Sequence, residues 1–276
     1  MNLRHKAYQY AMEFESVYNY SDQYKVKDDP IVWRYMSIEK LEDLLKNKAL
    51  FFAKPSAFID PLEGSYSYWD VRDSDRSDLD MVNREFMREI QSFSAISCWH
   101  INDYESAGMW DLYLGGQDGI AIKTSYSDLI DSITDLRYRI FDGKLQYIDF
   151  RKEMTSNNIY DTLFYKRKSF SHENELRLMV IASRIDGIHL ETVLDRDGIP
   201  YYDWQEKMDE LEEQSYNFSH DMGTLVSCNL NKMINEVYVS PKSSMQIVEK
   251  VKFLMLEHGF TTKKVIQSDL YKDFIY

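Results

Sequence analysis

The sequence predicts an α+β fold, with a mixed, largely antiparallel sheet flanked by helices. Three observations predict it. Short apolar runs of strand length alternate with segments whose apolar residues recur at helical spacing. The alternation keeps no strict βαβ period, which sets it apart from a doubly wound parallel sheet. The 276 residues show no internal repeat or low-complexity segment, and 44% hydrophobic with 29% charged residues is ordinary globular usage. One compact unit is the economical reading: an N-terminal helical extension over 1–30 and a single domain over 31–276.

Leu3, Ala7, Tyr10, Ala11, Phe14 and Val17 make the extension an amphipathic helix. Ile31 to Tyr35 follows as a strand, and Ser37 caps a helix whose Leu41, Leu44 and Leu45 share one face. Leu50 to Ala53 is a second strand. Lys54-Pro55 and Asp60-Pro61 then bracket a loop, because a residue before proline is pushed out of the helical region. Next come a helix over Met81 to Ile90, a strand over Phe93 to Trp99, a short helix from Ala107 to Leu114 and a strand from Gly119 to Thr124. Asp142-Gly143 reads as a turn, which places a strand at Lys144 to Phe150, a helix at Glu153 to Lys166 and a strand at Glu173 to Ile181. Strands at Leu225 to Leu230 and Glu236 to Ser240, a helix from Ser243 to Glu257 and a last strand at Lys263 to Ile266 complete the order.

Charge excludes some partners. With 33 basic against 46 acidic side chains the net charge is −13, which disfavours duplex DNA and anionic lipid, since polyanion binding depends on many Lys and Arg contacts. Lys166-Arg167-Lys168 is the one three-residue basic run, either a solvated helix end or a local exception. No apolar run approaches the roughly 18 residues of a membrane span, and the first residues lack a signal-peptide apolar region, so a cytoplasmic protein is expected. Its two cysteines, Cys98 and Cys228, are expected to be reduced.

The segment richest in chemistry is His172-Glu173-Asn174-Glu175-Leu176-Arg177. In a strand, Glu173, Glu175 and Arg177 point to one face, so three charges cluster where the strand enters the sheet. Such charges face a cleft or one another. Arg34 shares a strand face with Val32 and Met36 and needs a partner, either a ligand carboxylate or phosphate or a structural carboxylate.

These residues sit in a longer pattern. Trp33-Arg34-Tyr35-Met36-Ser37, Leu50-Phe51-Phe52-Ala53-Lys54-Pro55, Phe58-Ile59-Asp60-Pro61-Leu62-Glu63, Ser97-Cys98-Trp99, Met109-Trp110-Asp111-Leu112-Tyr113 and Glu173-Asn174-Glu175-Leu176-Arg177 resemble, in order, a widespread bacterial domain family of unknown function. The resemblance covers about Ile31 to Ser268. It departs at Ile59, where family members usually carry Asn, and at Trp99-His100, where Phe-Ser is common. The family's layout is in turn similar to ADP-ribosyltransferases of the Arg-Ser-Glu kind, although Ser94-Ala95-Ile96-Ser97 only approximates their Ser-Thr-Ser triplet.

That second similarity implies an NAD-consuming enzyme, in the setting of a bacterial toxin or phage-defence effector. It implies that Arg34 holds a phosphate of NAD, that Ser97 braces the site and that Glu175 stabilises the cationic ribose, with Glu173 as general base toward an acceptor. The acceptor would be a protein, a small molecule or single-stranded nucleic acid. Tyr35, Trp110 and Tyr113 would stack on nicotinamide or adenine, or else simply pack the core. The alternative is a non-catalytic binding or regulatory module for a partner protein, with the same charges as a structural network.

Other signals carry less. His172-Glu173 lacks the second histidine of a zinc-protease helix, because Leu176 occupies its place. Cys98 and His100 share a strand face without implying a nucleophile and base, and six scattered histidines give no metal-ligand spacing. Gly115-Gly116-Gln117-Asp118-Gly119 lacks the Lys-Ser/Thr of a phosphate loop and reads as a turn.

Overall fold

A computed structural model describes residues 21–68, 70, 91–135, 137–155, 158, 160–182, 218 and 220–272. The expected helix at 3–17 and the expected helix at 81–90 lie outside them. The described residues show a mixed α and β architecture with largely antiparallel pairing, and the chain divides into two compact units. The first comprises Met1–Val26, Phe51–Cys98 and Thr134–Val226; the second comprises Lys27–Leu50, Trp99–Ile133 and Ser227–Tyr276. Neither unit is one continuous stretch of sequence.

In the second unit, β1 (Ile31–Ser37) pairs antiparallel with β4 (Gly119–Ser125) over its whole length and with the end of β3 (Ser94–Ile101). β4 also pairs antiparallel with β10 (Glu236–Val239), which pairs parallel with β11 (Lys264–Gln267). Ser37 ends β1 and caps α1 (Ile38–Asn47), its hydroxyl accepting from the amide of Lys40 and removing one unsatisfied donor of the first turn. The buried side of α1 is Leu41, Leu44 and Leu45 with Ile38, as its spacing predicts. α2 (Ala107–Leu114) packs on β1 and ends at Gly115, whose φ of 56° is the left-handed closure that glycine adopts without a Cβ clash. At Gly119 a Cβ would stand 2.6 Å from the carbonyl oxygen of Met36, so the approach of β4 to β1 requires glycine. α3 (Tyr126–Ser132), α4 (Leu230–Met233) and α5 (Met245–Glu257) complete this unit.

In the first unit, β5 (Phe141–Lys144) pairs antiparallel with β8 (Glu175–Ile181), which lies beside β3; β3 continues to β2 (Ala49–Ala53) and then β9 (Gly223–Ser227). The two short strands β6 (Gln146–Ile148) and β7 (Tyr165–Arg167) form a separate parallel pair. A core of Ile96, Phe141, Leu163, Phe164, Met179 and Ile181 fills this unit, and Tyr24 stacks on Phe164 at 4.9 Å.

Several expected elements are redrawn. Asp142-Gly143 lies within β5, because Phe141 and Gly143 are buried opposite Met179 and Arg177, and burial overrides the turn propensity. No helix runs from Glu153 to Lys166 among the described residues: Asp161–Phe164 is a 3₁₀ turn leading into β7. The side chain of Asn158 accepts from the amide of Tyr160, a local bond that competes with helix formation. Leu230 opens α4 instead of ending a strand.

Candidate functional site

The two sequence blocks Asp60 to Glu63 and Glu173 to Arg177 meet in the first unit, around Lys166. The ammonium of Lys166 is 2.9 Å from Glu173, 3.2 Å from Glu175 and 3.9 Å from Glu63. Arg177, only 1% exposed, pairs with Glu63, donates from Nε to Glu175 Oε1 at 2.7 Å and from Nη1 to the carbonyl oxygen of Leu163 at 2.5 Å. Rings line the cluster: Phe58 beneath the Arg177 guanidinium at 5.0 Å and Phe170 beneath the Lys166 ammonium at 5.1 Å. At its margin Arg167 pairs with Asp60 at 2.8 Å.

The local backbone explains the convergence. The strand begins at Glu175 and not at Glu173; residues Lys168–Glu173 form a 3₁₀ helix, and Asn174 closes it in the left-handed region at φ 36°. That single turn, in place of a pleat, brings both carboxylates to one ammonium. The amide of Glu175 donates to the Tyr147 hydroxyl at 2.9 Å, which pins the start of β8.

Three carboxylates, those of Glu63, Glu173 and Glu175, thus face two cations, leaving the cluster one negative charge in excess. Burial pushes the Glu175 carboxyl above its ordinary range, with the Lys166 charge and the Cys98 thiol, which hydrogen-bonds it, opposing the shift. Burial also works to lower the Lys166 value, but the Glu175 and Glu173 carboxylates override it and hold the ammonium above its usual range. Desolvation pulls the Arg177 guanidinium down to about 9, which leaves it charged at neutral pH.

The other sequence-derived candidates are divided between the two units. Ser97 is fully buried in the first unit, between Ile96 and Cys98, which both face the core that holds Met179 and Ile181. Alternation along β8 puts Glu175 on the Met179 side, so Ser97 and Glu175 occupy opposite faces. Arg34, Tyr35, Trp110 and Tyr113 belong to the second unit, and β1 separates them by face. Tyr35 meets Trp110 edge-on at 4.9 Å and stacks near Tyr113 at 6.3 Å. Its hydroxyl accepts from the amide of Ser106, and Trp110 Nε1 donates to Glu105 at 2.9 Å. Arg34 points the other way and lies 5.7 Å over the Trp99 ring. Tyr113 is the exposed member of the aromatic group and offers a ring for stacking.

Sequence reasoning missed Lys166, Glu63 and the pairing of Asp60. The signal available for Lys166 was its place directly after Leu163-Phe164-Tyr165, a run that is buried throughout. Its neighbours in the basic run are also committed, Arg167 to Asp60 and Lys168 to Glu153. Among the described residues no group of three or more His, Cys, Asp or Glu is arranged to hold a metal ion, and neither cysteine is in a disulfide. Among them, too, no helix is long and apolar enough to cross a membrane. No family model matches the chain, and no curated protein or solved structure matches it either.

Proposed function

We propose that the chain is a non-catalytic binding or regulatory module for a partner protein, in which the Lys166 cluster is the ionic network of the first unit. The observation that carries this reading is that both oxygens of Glu175 are engaged, Oε1 by Arg177 and Oε2 by Lys166. A carboxylate that stabilises a cationic ribose must present its charge to the substrate. Here the charge faces two buried cations, and Ser97 points to the other face. The solvent side of α5 supports a protein partner: Met245, Phe253 and Leu256 fall within one helical arc and are each more than half exposed.

A second reading, an NAD-consuming ADP-ribosyltransferase-like enzyme, is favoured by one observation. The cluster carries an unbalanced negative charge and a carboxyl raised by burial, the combination that catalytic acids use. Nicotinamide release from NAD, measured with protein, small-molecule and single-stranded nucleic-acid acceptors, separates the two. The module reading expects none. Release by the native chain that disappears in Glu175→Gln, at unchanged melting temperature, would overturn it and establish the enzyme.

A further inference from the structure

The second unit holds a groove that the proposed function does not use. It lies where β1, β10 and β11 begin and β4 ends, with a volume of about 440 Å³, and Lys123, Lys263, Lys264, Glu236, Ser125 and Thr262 line it. The strand register creates it: Glu236 stands opposite Lys123 on one side and Lys264 on the other, so two lysines flank one carboxylate in a row across three strands. Lys123 is 3.1 Å from Glu236 Oε2, Lys264 is 3.9 Å from Oε1, and the Tyr238 hydroxyl donates to Oε2 at 3.3 Å. The Lys123 ammonium lies 5.6 Å over the Trp33 ring, a cation–π contact. Lys263 adds a third ammonium.

Three ammoniums against one carboxylate leave two positive charges in excess, in a chain whose net charge is −13. We propose that this groove binds a small phosphate-bearing ligand, with Lys123, Lys263 and Lys264 as its cationic contacts. The excess matches a phosphate monoester, which carries about −1.5 to −2 at neutral pH. Lysine meets phosphate as a point charge, whereas bidentate carboxylate recognition would call for arginine. The Thr262 hydroxyl supplies a neutral donor at the wall. The volume suits a small molecule and not a polymer, in keeping with the acidity of the rest of the chain.

The test is calorimetric titration of the full chain with inorganic phosphate and with pyrophosphate, at constant ionic strength set by chloride. Saturable one-to-one binding is expected. It should weaken at least about tenfold in the double variant Lys263→Gln, Lys264→Gln, since two charge-assisted contacts are removed. Both lysines lie toward the surface, so the ligand-free melting temperature of that variant should match the native value. Glu236→Gln, which removes the competing carboxylate, should bind more tightly. Absence of saturable binding by the native chain, or equal affinity in the double variant, overturns the proposal.

Discussion

Glu173 and Glu175 share the ammonium of Lys166, at 2.9 and 3.2 Å, although the backbone between them is not extended. Asn174 at φ 36° makes the turn, so the two carboxylates meet by a local reversal. An excess of buried negative charge at such a point has measurable consequences.

Lys166→Met is expected to destabilise the protein strongly, because it leaves three carboxylates with Arg177 as their one buried cation. Breaking a buried pair on one side costs about 3–5 kcal/mol. Glu175→Gln instead leaves two carboxylates with two cations and is expected to destabilise less than Lys166→Met, since it leaves no excess of buried charge. Urea denaturation of the two variants checks the contrast; equal losses would contradict the charge count.

The pH dependence of stability should carry the signature of Glu175. Its folded value is raised by burial above the ordinary carboxylate value of about 4.3. Between those values the folded state holds a proton that the unfolded chain has released, so the Glu175 contribution is full below about 4.3 and declines as pH rises through the folded value. The melting temperature of the native chain relative to Glu175→Gln should therefore fall with rising pH across that window. A difference that grows with pH would refute the sign.

Asn174 should tolerate glycine but not a residue with an ordinary Cβ preference. Asn174→Ala is expected to lose about 1 kcal/mol, the cost of placing alanine in the left-handed region, and Asn174→Gly at most a few tenths. Thermal melts of the pair provide the comparison. An equal loss in both would show that the Asn side chain, and not its backbone angle, matters.

Duplex DNA should bind weakly at physiological salt. The basic run has Lys166 in the buried cluster, Arg167 on Asp60 and Lys168 on Glu153, so few of its contacts are left for phosphates. Fluorescence anisotropy with a labelled duplex should show no salt-sensitive binding that Arg167→Ala and Lys168→Ala together abolish.

Much of the second unit was legible because its signals are local. Ser37 as cap, Leu41, Leu44 and Leu45 as one face, and Gly115 to Gly119 as a turn each act within a few residues. The region from Asp142 to Lys166 was not, because there burial of Phe141 and the backbone bond of Asn158 outweigh turn and helix preferences. The cluster was half legible. Alternation placed Glu175 and Arg177 on one face, but the one local hint for Lys166, the apolar run Leu163-Phe164-Tyr165 before it, does not say which carboxylates its ammonium meets.

The sequence by itself determined the α and β character, the caps and turns, and the residue types able to form a charged cluster, since periodicity and side-chain chemistry are properties of neighbouring positions. Tertiary structure alone decided which charges meet. Glu63 reaches Arg177 across 114 positions, and Ser97 turns away from Glu175, because strand pairing and the sidedness of a pleated sheet are set by contacts distant in sequence.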